Sequence, residues 1–204
     1  MEHKLYVGSK SQARHQLLKD AQIDFVIVNQ DADESLCEIG SSLQETVENI
    51  ARFKMEHVVL PEGKEGDTCF VLTADTLSQH NDGSLAGKPK NRTDAIDMIK
   101  KASSGKARVG TAFCLDRRVY RSGNWTVFKR IENYVDAEYE LCIPDEWIDI
   151  YLEKSFGTVA SGAIAIEVYG AQFLKEVYGS HSTIVGLPMY ELREALQALG
   201  FFNL

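Results

Sequence analysis

Strand-like and helix-like segments alternate along the first half of the chain, and an order of this kind leaves few folds open. Lys4 to Val7 has the pattern of a strand, and the segment after it, GSKSQARHQLLKDAQ, has the pattern of a helix. Asp24 to Asn29 then predicts a second, mostly buried strand. Alternation of this type packs helices against a sheet. We therefore expect an α/β fold.

The next segments add a long helix and a central strand. SSLQETVENIARFKMEHVV is the clearest helix, because Ser42 and Glu45 match the S-x-x-E capping box. CFVLTADT predicts a central strand, and the HNDG that follows supplies hairpin turn residues. A second amphipathic helix, TDAIDMIKKAS, ends near Gly105.

Long strand patterns dominate the second half. KARVGTAFCLDRRVY and WTVFKRIENYVDAEYEL predict strands around a turn at Asp116 to Arg118. PDEWIDIYLEKS predicts a helix, GAQFLKEVYG a strand, and LPMYELREALQALG a last helix. Antiparallel strands added to an alternating first half predict a mixed sheet flanked by helices, in one domain over residues 1–204.

The composition is that of an ordinary globular protein, and it excludes several function classes. A formal net charge of −8 argues against a double-stranded nucleic-acid partner, although a local cluster of Lys and Arg can still bind a nucleotide. No apolar run approaches the roughly 18–20 residues that span a bilayer, and the N-terminus lacks a secretory pattern. We therefore expect neither a nucleic-acid polymer nor a membrane as partner.

Cysteine and histidine spacing predicts no metal site. We expect buried free thiols in a reducing cytoplasm for the four cysteines, Cys37, Cys69, Cys114 and Cys142. The five histidines share no ligand spacing, and we interpret them as surface or structural residues. A nucleophile elbow and a dinucleotide fingerprint are also absent from the sequence.

Lys54 occupies an unusual position in the predicted long helix. On a helical wheel with Leu43 at zero, Val47 and Val58 lie at about 40° and about 60°. Lys54 lies at about 20°, in the centre of this apolar stripe. One explanation is a lysine that extends past the core to solvent at the helix end. The other is a lysine held at the mouth of a cleft to neutralise an anion.

Three acids follow the second predicted strand in the segment DADE. Asp31, Asp33 and Glu34 repel one another unless water or a cation lies between them. Oxygen ligands in a loop suit Mg²⁺ or Mn²⁺, so the segment is a candidate metal site. A solvated acidic loop is the alternative.

The segment GSKSQAR is a candidate anion site. A strand that leads into a serine-capped helix start points backbone N–H groups outward, and Arg14 follows one turn into the helix. Ser9 and Ser11 are the cap candidates. The spacing of a P-loop is absent, and a purely structural serine cap is the alternative.

Asp75 ends the central strand, and Lys88 follows one hairpin later in the segment GKP. A carboxylate at the end of an apolar strand must be paired, hydrogen-bonded or bound to metal to offset its desolvation. One interpretation is a structural Asp75–Lys88 ion pair. The other makes Asp75 a base or metal ligand and Lys88 a phosphate contact.

Taken in order, six segments resemble the Maf family of nucleotide pyrophosphatases: GSKSQARHQLL, DADE, IARFK, TADT, GKP and STIVGLPMYEL. The resemblance runs from Val7 to about Gly200. It implies hydrolysis of a nucleoside triphosphate to the monophosphate and pyrophosphate with a divalent metal, Mg²⁺, Mn²⁺ or Co²⁺. It also implies an elongated mixed sheet like that of the inosine triphosphate pyrophosphatases, with a cleft between two lobes.

The resemblance also implies a cytoplasmic house-cleaning enzyme, a homodimer, and an association with septum formation and cell-division arrest. Its site residues carry over position by position. The implied catalytic residues are Asp75, Lys54 and Lys88, the metal-binding residues are Glu34 and Asp75, and the substrate-binding residues are Ser9, Ser11, Arg14, Thr76 and Glu167.

Several positions depart from the family pattern or divide its branches. Ala13 stands where the family usually has a second arginine, which removes a bidentate donor. The pair Asp75-Thr76 resembles the branch that hydrolyses dTTP and UTP, whereas Glu167 resembles the branch that hydrolyses 7-methyl-GTP. Thr183 stands where the family often has asparagine. We expect a pyrophosphatase for one of these nucleotides. The alternatives are a catalytically weak nucleotide-binding regulator of cell division and an inosine-triphosphate-type pyrophosphatase.

Overall fold

The computed structural model describes residues 3–202 and contains a seven-stranded sheet with helices. The strands are β1 Lys4–Val7, β2 Phe25–Ile27, β3 Thr68–Gln79, β4 Leu85–Ala86, β5 Lys106–Arg121, β6 Asn124–Leu141 and β7 Leu174–Tyr178. The α-helices are α1 Gln12–Asp20, α2 Leu43–Glu56, α3 Arg92–Ala102, α4 Ile148–Lys154, α5 His181–Val185 and α6 Met189–Ala198.

The sheet combines parallel and antiparallel pairs. Its strand order is β2-β1-β3-β5-β6-β7, and β4 pairs with β3 beside that path. β1 is parallel to both β2 and β3, whereas β3 with β4 and β6 with β7 are antiparallel. The expected α/β class with a mixed sheet flanked by helices is therefore confirmed.

The chain divides into two compact units. The first consists of Met1–Asp75, Ala112–Tyr134 and Gly186–Leu204, and the second of Thr76–Thr111 and Val135–Val185. Strand β3 passes from the first unit to the second after Asp75. The assignment of a single domain and the expected cleft stay predictions.

Each unit has its own apolar core. In the first unit, Leu5 of β1 belongs to the buried cluster of Leu18 in α1, and Tyr6, on the opposite face of the strand, belongs to the cluster of Met55 in α2. Helices therefore cover both faces of β1, with α1 packed on one face and α2 on the other. The core of the second unit includes Ile99, Tyr139, Leu141, Tyr151 and Ile166.

The turn predicted at Asp116 to Arg118 is wrong. β5 continues unbroken through these residues, and the chain turns at Ser122 and Gly123, which both have positive φ. Asp116 is fully buried and accepts hydrogen bonds from the guanidinium groups of Arg118 and Arg130. The polar residues therefore form a buried ion-pair network inside the strand.

Two other strand predictions need correction. β2 has only three residues and lies at the end of the strand order, and Val26 and Ile27 are 49% and 55% exposed. It is an edge strand and not a mostly buried one. In the segment GAQFLKEVYG, only Leu174–Tyr178 is a strand, because Val168–Phe173 forms a 3₁₀-helix.

The predicted long helix and the hairpin are confirmed. Oγ of Ser42 accepts a hydrogen bond from the backbone N–H of Glu45 at 3.1 Å, which caps α2. The carboxylate of Glu45 reaches back to the N–H of Ser41, at 2.7 Å, so only half of the predicted capping box forms. Gly83, with a φ of 81°, turns the chain between β3 and β4.

The four cysteines are free, as expected, but not all of them are buried. Cys69 and Cys114 are buried, Cys37 is partly exposed, and Cys142 is exposed just after β6 ends. The expectation of a buried thiol is therefore wrong for Cys142. None of the helices within residues 3–202 combines the length and the apolar character that crossing a bilayer requires.

Candidate functional site

Lys54 lies on the buried face of α2. Three apolar residues of that face, Val47, Ala51 and Met55, are 0%, 1% and 0% exposed, and Lys54 among them is 8% exposed. The position predicted from the helical wheel is confirmed. The alternative of a lysine that extends to solvent is wrong, because its side chain is 9% exposed and bound to acids.

The ammonium of Lys54 joins two carboxylates. Its Nζ lies 2.6 Å from Oδ1 of Asp75 and 3.0 Å from Oε1 of Glu34. Asp75 is the last residue of β3 in the first unit and is buried, whereas the side chain of Glu34 is 51% exposed. The ion pair observed for Asp75 is thus with Lys54. Three residues that were predicted from separate segments are brought together.

Asp75 has a perturbed proton affinity and one oxygen without a partner. Burial raises the pKa of its carboxyl group above the ordinary value, and the positive charges of Lys54 and Arg14 oppose that rise. Its Oδ2 is buried and has no hydrogen-bond partner among residues 3–202. An acceptor in this situation is stabilised by a water, a cation or a substrate donor. These two features make Asp75 a candidate functional carboxylate, as predicted.

Arg14 is held by its own segment and by a distant carbonyl. Ser11 caps α1, and its Oγ accepts from the N–H of Arg14 at 3.4 Å. Nη1 of Arg14 donates to Oγ of Ser9 at 3.1 Å, and Nε donates to the carbonyl oxygen of Gly186 at 2.7 Å. Arg14 is buried, and burial lowers the pKa of its guanidinium group. A fixed cation beside a helix start suits an anion.

The acidic loop is mostly solvated. Asp31 is exposed, and the carboxylate of Asp33 accepts from the N–H and the hydroxyl of Ser35, at 3.1 and 2.7 Å. Within the described chain, no group of three or more His, Cys, Asp or Glu side chains is placed to hold a metal. Asp31 and Asp33 are exposed in the loop, and Glu34 is the acid that reaches Lys54.

The other candidate residues lie in the second unit. Oγ1 of Thr76 is 2.9 Å from Oγ1 of Thr111. Lys88 is exposed and follows β4. Glu167 is half-buried, and burial raises the pKa of its carboxyl group. The roles of the site residues in both units stay predictions.

Two partners of these side chains were missed from the sequence. The carbonyl group of Gly186 contacts Arg14 from 172 residues further along the chain. Thr111 is fully buried and hydrogen-bonds the hydroxyl of Thr76. A backbone carbonyl leaves no mark in a sequence, and threonine is common in strands. No local signal could have found either contact.

Comparison with known proteins identifies relatives along nearly the full chain. A family model described as Maf-like protein matches residues 4–199. The dTTP/UTP pyrophosphatase of Geotalea uraniireducens is 32% identical over 196 residues, which cover 96% of this chain and 95% of that one. The dTTP/UTP pyrophosphatase of Caldicellulosiruptor saccharolyticus is 30% identical and covers 97% and 96%. Among solved structures, a HAM1 protein from Coxiella burnetii matches 68% of this chain and 73% of its own, with a TM-score of 0.37 and 17% identity.

Proposed function

This chain belongs to the Maf family, and on that premise we propose that it is a nucleoside triphosphate pyrophosphatase that acts on dTTP and UTP. The observation that carries the proposal is the buried ion pair of Lys54 and Asp75, which the exposed Glu34 joins, beside the serine-capped segment with Arg14. The names of the relatives support the choice of substrate.

In the proposed reaction, water attacks the α-phosphorus and the bond to the bridging oxygen of the β-phosphate breaks. Asp75 would orient that water and accept its proton, and a carboxylate whose pKa burial has raised is a stronger base. Lys54 and Arg14 would bind phosphate oxygens and stabilise the negative charge on the leaving pyrophosphate. The backbone N–H groups near Ser9 and Ser11 would bind further phosphate oxygens.

Residues of the second unit enter the proposal through the family resemblance. Lys88 would contact a phosphate group, and Thr76 would contact the nucleoside. Cytoplasmic location and a homodimer belong to the proposal in the same way.

A divalent cation is part of the proposal, and the residues present fit one. Oδ2 of Asp75, which lacks a partner within residues 3–202, and the exposed carboxylate of Glu34 would hold it. Mg²⁺ is typically bound by one or two carboxylates, with water and phosphate oxygens in the remaining positions, so a cluster of three acids is not needed. When bound, the cation would supply positive charge that offsets the charge of the phosphates.

A second substrate candidate, 7-methyl-GTP, is favoured by one residue. Glu167 offers a half-buried carboxylate, and the 7-methylated guanine base carries a positive charge. Partial burial strengthens the attraction between opposite charges. Release of pyrophosphate from 7-methyl-GTP in preference to UTP would select this candidate.

The test is pyrophosphate release from dTTP, UTP, CTP, 7-methyl-GTP and ITP with Mg²⁺, Mn²⁺ or Co²⁺. Asp75→Asn should lower kcat by at least about 100-fold and change nucleotide binding much less, because the carboxylate acts in the chemical step. Asp97→Asn, at an exposed position of α3, is the matched control and should retain full activity. Near-normal turnover in Asp75→Asn would exclude this role, and a wild type that binds nucleotides without hydrolysing them would favour a regulator.

A further inference from the structure

The ring of His15 holds a main-chain carbonyl group of the segment that joins β1 to α1. Its Nε2 lies 2.8 Å from the carbonyl oxygen of Ser9. A carbonyl oxygen can only accept, so Nε2 carries the proton of this hydrogen bond. The ring also packs against Phe25 of β2, with 5.4 Å between the ring centroids, and His15 is half-buried. His15 therefore connects Ser9 to the edge strand of the sheet.

The main chain at Ser9 lies just beyond the end of β1. The N–H of Gly8, the residue before it, still donates to the carbonyl oxygen of Leu72 in β3, at 2.9 Å. The carbonyl oxygen of Ser9 instead accepts from the side chain of His15. In a trans peptide group the carbonyl and the N–H point in opposite directions. The hydrogen bond from His15 therefore fixes the orientation of the whole peptide group between Ser9 and Lys10.

The hydroxyl group of Ser9 is oriented as a donor. Its Oγ accepts from Nη1 of Arg14 at 3.1 Å and from the N–H of Ser11 at 3.3 Å, and Ser9 is buried. A hydroxyl oxygen has two lone pairs and one proton, so these two bonds use both lone pairs. Toward a further partner, the hydroxyl of Ser9 can therefore only donate. A phosphate oxygen is an acceptor, and it is the kind of partner that this polarity suits.

The segment lies beside the proposed catalytic group of the same unit. Arg14 is close enough to Asp75 for its positive charge to oppose the rise in the pKa of that carboxyl group. The guanidinium of Arg14 is also hydrogen-bonded to the hydroxyl of Ser9. A substrate phosphate that Arg14 binds is therefore within reach of that hydroxyl, and the position of Ser9 affects how well the phosphate is held.

We propose that His15 is a positioning residue for substrate phosphate, which holds the carbonyl group of Ser9 so that the hydroxyl of Ser9 donates to the phosphate bound by Arg14. The inference rests on the proposed function and adds to it a residue that does not touch the substrate. Without the ring N–H, the peptide group after Ser9 could rotate, and a carbonyl oxygen turned toward the phosphate would repel it. The loss would fall on phosphate binding and not on the chemical step, because Asp75 and Lys54 keep their positions.

His15→Phe tests the inference, because phenylalanine keeps a ring against Phe25 but has no N–H. The KM for UTP and the inhibition constant of inorganic pyrophosphate should both rise about fivefold, as expected for one hydrogen bond, and kcat should change less than about twofold. His15→Gln restores a donor near the position of Nε2 and should return both constants to within about twofold of the wild type. Wild-type constants in a folded His15→Phe protein overturn the inference, and so does a His15→Gln protein that binds as weakly as His15→Phe.

A second histidine provides the matched control. Nδ1 of His57 lies 2.8 Å from the carbonyl oxygen of Phe53, and the two ring centroids are 4.4 Å apart. His57 thus combines the same two kinds of contact at an exposed position at the end of α2. His57→Phe should leave both constants unchanged, and a rise equal to that of His15→Phe overturns the inference. Thermal denaturation shows whether His15→Phe folds, and His15→Leu replaces it if it does not.

Failure of the proposed function gives a different result. A wild type that releases no pyrophosphate from any nucleotide has failed the proposed function. Calorimetric binding of inorganic pyrophosphate to the wild type, His15→Phe and His15→Gln then decides the inference. Binding that is about fivefold weaker in His15→Phe alone supports it, and equal binding or no binding overturns it.

Discussion

Lys54 and Asp75 are buried together, and each neutralises the charge of the other, which would be costly to bury alone. Their side chains are 9% and 10% exposed, and the charged atoms are 2.6 Å apart. Removal of one partner from a buried pair costs about 3–5 kcal/mol, whereas replacement of both by neutral groups costs much less. The double variant Lys54→Met with Asp75→Asn should therefore be destabilised by at least about 1 kcal/mol less than the sum of the single variants. Urea denaturation measures the three free energies of unfolding.

An exposed ion pair provides the control for this double-mutant cycle. Lys100 and Asp145 lie 3.5 Å apart with side chains that are 51% and 78% exposed. The same substitutions there should couple by less than about 1 kcal/mol, because water screens the charges. Additive effects at Lys54 and Asp75 would contradict a mutual compensation.

Residue-level prediction from the sequence succeeded where the signal is local. Lys54 could be found because a helical wheel compares residues within one helix. The contacts of Thr111 could not be found, because its partners Thr76 and Thr183 are 35 and 72 residues away along the chain. Contacts of this type exist only after the sheet has formed.

At the level of elements, the buried network around Asp116 supports the pairing of β5 with β6. Asp116 is 0% exposed and accepts from Nε of Arg130 at 2.7 Å and from Nη2 of Arg118 at 2.8 Å. Arg118 also donates to the carbonyl oxygen of Met55, at 3.2 Å near the end of α2. Asp116→Ala should lower the free energy of unfolding by about 3–5 kcal/mol, because two partly buried guanidinium groups lose their counter-charge.

The same two strands carry the control for Asp116. Asp136 of β6 pairs with Arg108 of β5, and the side chains are 36% and 46% exposed. Asp136→Ala should lower the free energy of unfolding by less than about 1 kcal/mol. Urea denaturation measures this free energy for both variants. If Asp116→Ala and Asp136→Ala lower the free energy of unfolding equally, burial does not strengthen the network.

The error at Asp116 shows why the ends of elements are harder to predict than their type. Asp-Arg-Arg has the composition of a turn, and a local pattern does not reveal that Arg130 faces Asp116 from the next strand. The true turn, Ser122-Gly123, lies four residues beyond Arg118 and takes positive φ. A strand segment with a buried charge that pairs with a neighbouring strand therefore has the same sequence pattern as a loop.

At the scale of the whole molecule, the order of elements was predictable and the choice of base was not. Alternating strand and helix patterns indicate an α/β fold because helices bury the apolar faces of the sheet. Six segments in order indicated the family that the full-length match confirms. Base selection, in contrast, would depend on how single side chains such as Glu167 are oriented by their neighbours. Periodicity and composition carry no information about such orientations.

The net charge of the whole molecule predicts how salt changes its activity. The chain has 22 Lys and Arg against 30 Asp and Glu, and a nucleoside triphosphate is also strongly anionic. Near the candidate site, Arg14 and Lys54 are largely offset by Asp75 and Glu34. Long-range repulsion should therefore slow the encounter with substrate, and salt screens it over about 10 Å.

We expect kcat/KM for UTP to rise about two- to threefold between about 10 and about 150 mM choline chloride, at constant free Mg²⁺. A basic nucleotide-binding protein would show the opposite trend, because salt weakens its attraction for phosphates. Sucrose of equal osmolality is the control and should not raise the rate, since it does not screen charge. A fall in kcat/KM with salt would instead mean that the local cations Arg14 and Lys54 outweigh the charge of the rest of the molecule during the encounter.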